Sequence, residues 1–385
     1  MIRNPLMCDD TRATANAVSA LGAKLDYGAE GWRVESAGKP TQPKTSIDCR
    51  ESGVTLRFTI PISSILSADV VLRASERLIQ RPLQPLIEAM NQLGIRIDIK
   101  GIEVIVHAAS AEGGKVQLPG NVSSQFISGL LLVGPLLAKG LEVRVTTPLE
   151  SKGYVSLTID VMKQHSVVVE SSADMSRLRV TSDQTYRPAE YIIPGDYSSA
   201  AFLMSAAAVT GSEISVLGLS QETDDPDSAI LPILSRMGAT TAFSSDGLKV
   251  EAQQLKAAKV NISDCPDLGP IITVLGCSAE GETEITGAAR LRYKESDRLA
   301  AIASELNTLG ARVMETDRGL LVSGPCHLSG GRVESHGDHR IAMALAVAAL
   351  TARGDITIQD AQCVNKSYPR FFDDMRALGV EASER

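Results

Sequence analysis

Stretches of the chain in which apolar residues recur at helical spacing end five times on one signal, a Gly between two apolar residues. These are Leu21-Gly22-Ala23, Leu93-Gly94-Ile95, Met237-Gly238-Ala239, Leu309-Gly310-Ala311 and Leu378-Gly379-Val380. Gly just past a helix adopts the left-handed conformation that stops it. Gly22 and Gly94 are 72 residues apart, Gly94 and Gly238 twice that, Gly238 and Gly310 again 72, and Gly310 and Gly379 69. Ser166, closing Asp160-Val161-Met162-Lys163-Gln164-His165, stands at the midpoint of the double interval. The pattern predicts a tandem array of one supersecondary repeat, longer than the familiar solenoid periods.

Within each repeat the period changes. After a stop, alternation of apolar and polar residues predicts two strands around a polar turn, as in Arg96–Ile99 with Glu103–Val106 and Thr240–Phe243 with Leu248–Glu251. A short strand follows, then an Ala-, Leu- and Gly-rich helix: Ser123–Ala138, Asp196–Val209, Asp267–Ala279 and Asp338–Ala352 in the successive repeats. Another strand and an amphipathic helix run to the next stop. The repeat is β-β-β-α-β-α, an α/β (α+β) class, and the length suits two domains of three repeats each. Six repeats need about 432 residues, and the chain has 385. The first repeat is therefore expected to keep only its last strand (Ile2–Leu6) and last helix (Asp10–Leu21), without an opening strand and first helix. Apolar faces of its neighbours would then be uncovered.

Composition narrows the function. A formal charge of −8 with no basic run argues against a nucleic-acid surface. The longest apolar stretch, Phe126–Ala138, is too short to span a bilayer and is broken by Gly and Pro, and the N-terminus has no apolar signal core. Six cysteines without Cys-x-x-Cys spacing or a His partner point to reduced thiols and no metal. A soluble, cytoplasmic monomer with no nucleic-acid or membrane partner is expected.

Departures from the repeat cluster at helix starts. Glu51-Ser52-Gly53, Ser123-Ser124-Gln125, Asp196-Tyr197-Ser198-Ser199, Asp267-Leu268-Gly269 and Asp338-His339-Arg340 open the first helices of successive repeats. Most are ordinary N-caps taken singly. Pseudo-symmetric stacking would bring the N-termini of one domain to a common face, where free N–H groups and aligned dipoles favour anions. The second helices are led by cations: Arg77 and Arg81, Ser151-Lys152-Gly153-Tyr154, Lys294-Glu295-Ser296-Asp297-Arg298 and Lys366-Ser367-Tyr368-Pro369-Arg370. Cations at a helix N-terminus oppose the dipole unless an anion sits there. Arg81, Lys294, Arg298, Arg340 and Lys366 thus read as an anion-binding set, with Lys294 and Arg298, four apart, on one helix face.

Ser123-Ser124-Gln125-Phe126-Ile127-Ser128-Gly129-Leu130, Ser151-Lys152-Gly153-Tyr154, Pro266-Asp267, Lys294 to Leu299, Gly337 to Met343 and Lys366-Ser367-Tyr368-Pro369 closely resemble, in order and over nearly the whole chain, the motifs of the 3-phosphoshikimate 1-carboxyvinyltransferase (EPSP synthase) family. The resemblance implies an enolpyruvyl transferase fold of two domains, residues 1–194 and 195–385, each built from three pseudo-symmetric βαβαββ units, with a hinge near Gly195 and an active site that forms when they close. It implies transfer of the enolpyruvyl group of phosphoenolpyruvate to the 5-hydroxyl of shikimate 3-phosphate, a step in aromatic amino-acid biosynthesis that needs an acid/base pair and a cationic clamp but no cofactor. By position in the matching motifs, Asp267 is implied as the acceptor of the hydroxyl proton and Glu295 as the group exchanging the C3 proton. Ser123, Ser124 and Ser151, near Tyr154, are implied to hold the shikimate phosphate, Lys294 the ring hydroxyls, and Gln125 both substrates. Arg81, Arg298, Arg340, Lys366 and the backbone of Gly53 are implied at phosphoenolpyruvate, as suits bidentate Arg forks.

Three departures from the family pattern stand out. Its N-terminal Lys-Ser pair, with an Arg a turn later, belongs to the strand and helix missing from the first repeat, so a gene product beginning upstream of Met1 is expected. Val54 stands for a common Thr, and Gly153 for a Pro, which should loosen the phosphate-binding turn. His339 is expected to orient its neighbours. Two alternatives stay open, a UDP-N-acetylglucosamine enolpyruvyl transferase, whose reactive Cys loop has no counterpart around Arg77–Arg81, and a non-catalytic anion-binding relic.

Overall fold

A computed structural model of the chain describes residues 1–109 and 111–383. Two compact units emerge, Met1–Ile193 and Pro194–Arg385. The predicted stops hold the repeat together locally. Gly22, Gly94, Gly238, Gly310 and Gly379 all have φ between +79° and +98°, and Ser166 takes φ +66°. In all six, the amide following the stop reaches back five residues: Ala23 to Val18, Ile95 to Met90, Val167 to Met162, Ala239 to Leu234, Ala311 to Leu306 and Val380 to Met375, at 2.9–3.0 Å. This is the Schellman closure, in which a left-handed residue lets the chain satisfy helix carbonyls that would otherwise be bare.

The first unit runs β1 (Ile2–Arg3), α1 (Asp9–Ala20), β2 (Lys24–Gly28), β3 (Gly31–Glu35), β4 (Ile47–Asp48), α2 (Gly53–Ser63) and β5 (Val70–Arg73). It continues through α3 (Glu76–Gln80), α4 (Gln84–Gln92), β6 (Ile97–Lys100), β7 (Glu103–Val106), β8 (Gly114–Leu118) and α5 (Ser124–Val133). Then come β9 (Leu141–Val145), α6 (Lys152–Gln164), β10 (Glu170–Ser171), β11 (Arg177–Val180) and β12 (Tyr191–Ile192). Three four-stranded sheets share one order: β4-β5-β7-β6, β8-β9-β11-β10 and β12-β1-β3-β2. In each the first pair is parallel and the rest antiparallel.

The last sheet departs from expectation. The position beside β1 is taken by β12, whose Tyr191 amide donates to Met1 O at 2.9 Å while Ile193 donates to Arg3 O at 3.0 Å. Without it, β1 would present an unpaired edge. β1 is also shorter than predicted, ending before Asn4, at φ +60°, and Pro5. The buried helices α2 and α5 cross closely: a Cβ on Gly129 would lie 2.7 Å from the Arg57 carbonyl oxygen. α5 stops at Val133, short of the predicted Ala138, because Pro135 cannot continue its hydrogen-bond ladder.

The second unit runs α7 (Tyr197–Thr210), β13 (Glu213–Val216), α8 (Ile230–Arg236), β14 (Thr240–Ser244), β15 (Gly247–Glu251), β16 (Lys259–Asn261) and α9 (Gly269–Ser278). It ends with β17 (Gly281–Thr286), α10 (Arg298–Thr308), β18 (Val313–Thr316), β19 (Gly319–Gly324), β20 (Ser329–Glu334), α11 (His339–Ala349), β21 (Arg353–Gln359) and α12 (Phe371–Ala377). The sheet β16-β17-β19-β18 repeats the full order. Among the described residues the other two sheets are β13-β15-β14, antiparallel, and the parallel pair β20-β21. α7, α9 and α11 pack on one another at the centre. They are buried nearly all round, which their Ala-, Gly- and Leu-rich sequences allow. Among the described residues no helix is long and apolar enough to cross a membrane.

Candidate active site

In the second unit the candidate residues stand at the N-terminal ends of α9, α10 and α11 and just before α12. Pro266 and Pro270 shape the first of these: Pro266–Leu268 form a 3-10 turn that presents Asp267 before α9 begins at Gly269. Asp297 caps α10 by accepting from the Ala300 amide, which makes Arg298 the first residue of that helix. Lys294 therefore lies outside it, with extended backbone, and does not share a helix face with Arg298 as the spacing had suggested. The two side chains meet all the same. Lys294 Nζ donates to Asp267 Oδ1 at 3.0 Å and Arg298 Nη1 donates to the same oxygen at 2.8 Å.

Arg298 is the hub. Its side chain is 1% exposed, and besides Asp267 it donates from Nη2 to Glu295 Oε2 at 2.7 Å and from Nε to Asp338 Oδ2 at 2.8 Å. Asp338 is wholly buried and also accepts from Ser296 Oγ at 3.0 Å and, as the cap of α11, from the Arg340 amide at 3.0 Å. Arg340 Nη2 is 3.3 Å from Asp267 Oδ2, and Lys366 Nζ is 3.6 Å from Glu295 Oε1. Three carboxylates and four cations thus interlock, and the carboxylates leave one net positive charge.

Burial would raise the Asp267 carboxyl, but Arg340, Lys294 and Arg298 outweigh it and hold it well below the ordinary carboxylate range. Burial opposes the charge on Asp338 too, and Arg298 again prevails and lowers it. The Arg298 guanidinium, despite its burial, is held protonated more firmly than usual by Asp338, Glu295 and Asp267. His339 has the opposite fate. Buried, with Nδ1 3.8 Å from Asp338 Oδ1, its imidazole is pushed down to about 3 and is neutral near pH 7, despite the pull of Asp338.

In the first unit a second polar set stands at helix starts. Ser52 caps α2, and its hydroxyl continues through Thr55 to Thr14 of α1 in contacts of 2.8 and 2.7 Å. Gly53 opens α2 with no side chain where a Cβ would come within 3.3 Å of both Arg57 Nη1 and Arg81 Nη1, so its bareness makes room for two guanidinium groups. Arg57 donates to Gln125 Oε1 at 2.7 Å and lies 5.3 Å from the Phe126 ring centroid. Ser123 stands at the N-cap position of α5 without a side-chain capping bond, with Ser124 and Gln125 in the first turn. Ser151 stands at the N-cap position of α6, which packs on α5, in a left-handed conformation rare for a side-chain-bearing residue and without a side-chain capping bond.

The structure thus joins Asp267, Lys294, Glu295, Arg298, Arg340 and Lys366 into one network, and sets Arg81, Gly53 and Gln125 around one helix start. Arg57 and Asp338 also belong to these networks, though the sequence reading did not include them among the candidates. Arg57 had a signal, a lone cation in the apolar helix sequence Gly53–Ser63. Asp338 read as an N-cap only, a role it also performs.

Comparison with known proteins gives the arrangement its place. Residues 1–375 match the model of the EPSP synthase (3-phosphoshikimate 1-carboxyvinyltransferase) family. The 3-phosphoshikimate 1-carboxyvinyltransferase of Methanocorpusculum labreanum is 40% identical over 387 residues, covering 100% of this chain and 91% of its own. That of Clostridium acetobutylicum is 39% identical over 388 residues, covering 100% and 90%. Among solved structures, EPSP synthase from Acinetobacter baumannii superposes with a TM-score of 0.81 at 25% identity, over 100% of this chain and 91% of that one. The enolpyruvyl transferase NikO from Streptomyces tendae shares the fold, with a TM-score of 0.75 at 19% identity over 99% of this chain and 89% of its own. A match along nearly the whole length makes this chain a member of the EPSP synthase family of transferases.

Proposed function

We propose that this protein transfers the enolpyruvyl group of phosphoenolpyruvate to the 5-hydroxyl of shikimate 3-phosphate, giving 5-enolpyruvylshikimate 3-phosphate and phosphate. The observation that carries the reading is the Arg298 network, which holds two carboxylates, Asp267 and Glu295, at the edge of a cluster of cations. In the addition step Asp267 takes the proton of the 5-hydroxyl as its oxygen bonds to C2, and Glu295 delivers a proton to C3. In the elimination Glu295 takes a proton back from C3 as the C–O bond to phosphate breaks.

The cations serve twice. Without substrate, Lys294, Arg298 and Arg340 make Asp267 a weak base. An anionic substrate competes for Arg340 and Lys294, removes part of that stabilisation and raises the basicity of Asp267 when the hydroxyl arrives. Phosphate and carboxylate of the donor fall to Arg298, Arg340 and Lys366. Lys294 is assigned to the ring hydroxyls of the acceptor. In the first unit Ser123, Ser124 and Ser151 are assigned to its phosphate, and Arg81, Gln125 and the Gly53 backbone, now with Arg57, to anionic groups of the substrates. Residues 1–194 and 195–385 act as the two domains of a cytoplasmic monomer, a reading that rests on the acidic composition and reduced cysteines.

The test is phosphate release from phosphoenolpyruvate in the presence of shikimate 3-phosphate. Asp267→Asn and Glu295→Gln should each keep substrate affinity and lower turnover by about 10²–10⁴-fold. Near-normal turnover in either variant would move the proton transfers elsewhere.

A further inference from the structure

Two cysteines outside the site face each other. Cys277 is in the last turn of α9, and Cys326 lies in the loop that leaves β19. The Cys326 amide donates to the Cys277 carbonyl at 2.7 Å. Peptide geometry then keeps the two α-carbons within about 6.6 Å, inside the range of about 4.4–6.8 Å that a disulfide requires. The two side chains are also close enough that each thiol is the leading influence on the other's acidity. The strand and helix approach this closely because Gly324 lies between: a Cβ there would meet the carbonyl oxygens of Ala279 and Gly276 at 2.3 and 2.4 Å.

The two thiols are unequal. Cys277 is buried, whereas Cys326 is partly exposed, and Arg312 reaches its loop to donate to the Pro325 carbonyl at 3.4 Å. When protonated, the Cys326 thiol donates to the Ser323 carbonyl at 3.3 Å. Cys277, with Arg312 nearby, pulls the Cys326 thiol down to about 6 despite partial burial, while Cys277 itself is raised well above the ordinary thiol range. By contrast, burial pushes Cys49, Cys265 and Cys363 up to about 12.

We infer that Cys326 and Cys277 form a redox-active pair, in which Cys326 is the attacking thiolate and Cys277 the resolving thiol, oxidised by hydroperoxides and restored by thiol reductants. Cys326 sulfur attacks the peroxide; an S–O bond forms, the O–O bond breaks, and the departing alkoxide or hydroxide takes a proton to leave as alcohol or water. Cys277 sulfur then attacks the sulfenic sulfur. The S–S bond forms, the S–O bond breaks, and hydroxide leaves as water with the Cys277 proton. Two electrons pass from the two sulfurs to the peroxide.

The experiment takes the full chain, reduced and freed of reductant, treats it with a small molar excess of hydrogen peroxide near neutral pH, and maps its peptides by mass spectrometry. A peptide linking Cys277 to Cys326, lighter by two hydrogens and cleaved by dithiothreitol, is expected, with the other four thiols intact. Iodoacetamide should alkylate Cys326 at least about 100-fold faster than Cys363 at pH 7. The Cys277→Ser variant should accumulate a dimedone-reactive sulfenic acid on Cys326 instead of a bridge. Loss of no thiols, a bridge to another cysteine, or equal alkylation of Cys326 and Cys363 in the unmutated chain would each overturn the assignment.

Discussion

Replacing Arg298 by Met removes the hub of the network while roughly keeping its volume. The guanidinium gives up four hydrogen bonds, at 2.8 Å to Asp267, 2.7 Å to Glu295 and 2.8 and 3.3 Å to Asp338. Asp267 keeps Lys294 and Arg340, and Glu295 keeps Lys366. The cost therefore falls on Asp338, wholly buried and left with the Ser296 hydroxyl and the Arg340 amide. Removing one partner of a buried ion pair costs about 3–5 kcal/mol, which for a unit of this size lowers Tm by about 6–20 °C. The pH dependence carries the sharper signature. In the unmutated protein Asp267 and Asp338 titrate below their unfolded values, so their stabilisation is present above the ordinary carboxylate range and is lost as pH falls through the folded values. In Arg298→Met the buried Asp338 should instead titrate above its unfolded value, so the variant gains stability as pH falls from neutrality toward that range. The gap between the two proteins should narrow on acidification. Urea unfolding followed by circular dichroism at about pH 7 and pH 5 measures it, and adding Asp338→Asn to the variant should return part of the loss. A loss below about 1 kcal/mol at pH 7, or a gap independent of pH, would refute the reasoning.

Arg340→Ala and Lys366→Ala should each weaken phosphoenolpyruvate binding by about 1.5–3 kcal/mol in calorimetric titration, with much less effect on shikimate 3-phosphate; equal losses for both ligands would remove the donor-site assignment. Gly129→Ala should force α2 and α5 apart, since the new methyl would stand 2.7 Å from the Arg57 carbonyl oxygen, and cost about 1–3 kcal/mol; an unchanged melting curve would show that the crossing tolerates a side chain. The His339 ring resonances should stay constant in NMR spectra from about pH 5 to pH 8, since its pKa is depressed to about 3; a midpoint near the free imidazole value would contradict its burial.

The six helix stops were legible in the residues alone, because a left-handed stop is decided by local sterics and by hydrogen bonds spanning five residues. The cations Arg81, Lys294, Arg298, Arg340 and Lys366 also stood out in the residues, since cations at helix starts break a local rule that only an anion would excuse, whereas Asp267 and Glu295 were singled out only through the family resemblance. Periodicity had no access to contacts between distant residues. It put Lys294 and Arg298 on one helix, whereas Asp297 caps that helix between them and the two side chains instead converge on Asp267. It read Asp338 as a cap, although burial turns the same carboxylate into a partner of Arg298 forty residues away. It left β1 without a neighbour, although Tyr191 and Ile193 supply one from the far end of the unit. Sequence by itself determined where the chain turns and which residues carry charge. Tertiary structure alone decided which charges meet, because a buried ion must find a partner within hydrogen-bond reach, and packing rather than spacing brings that partner there.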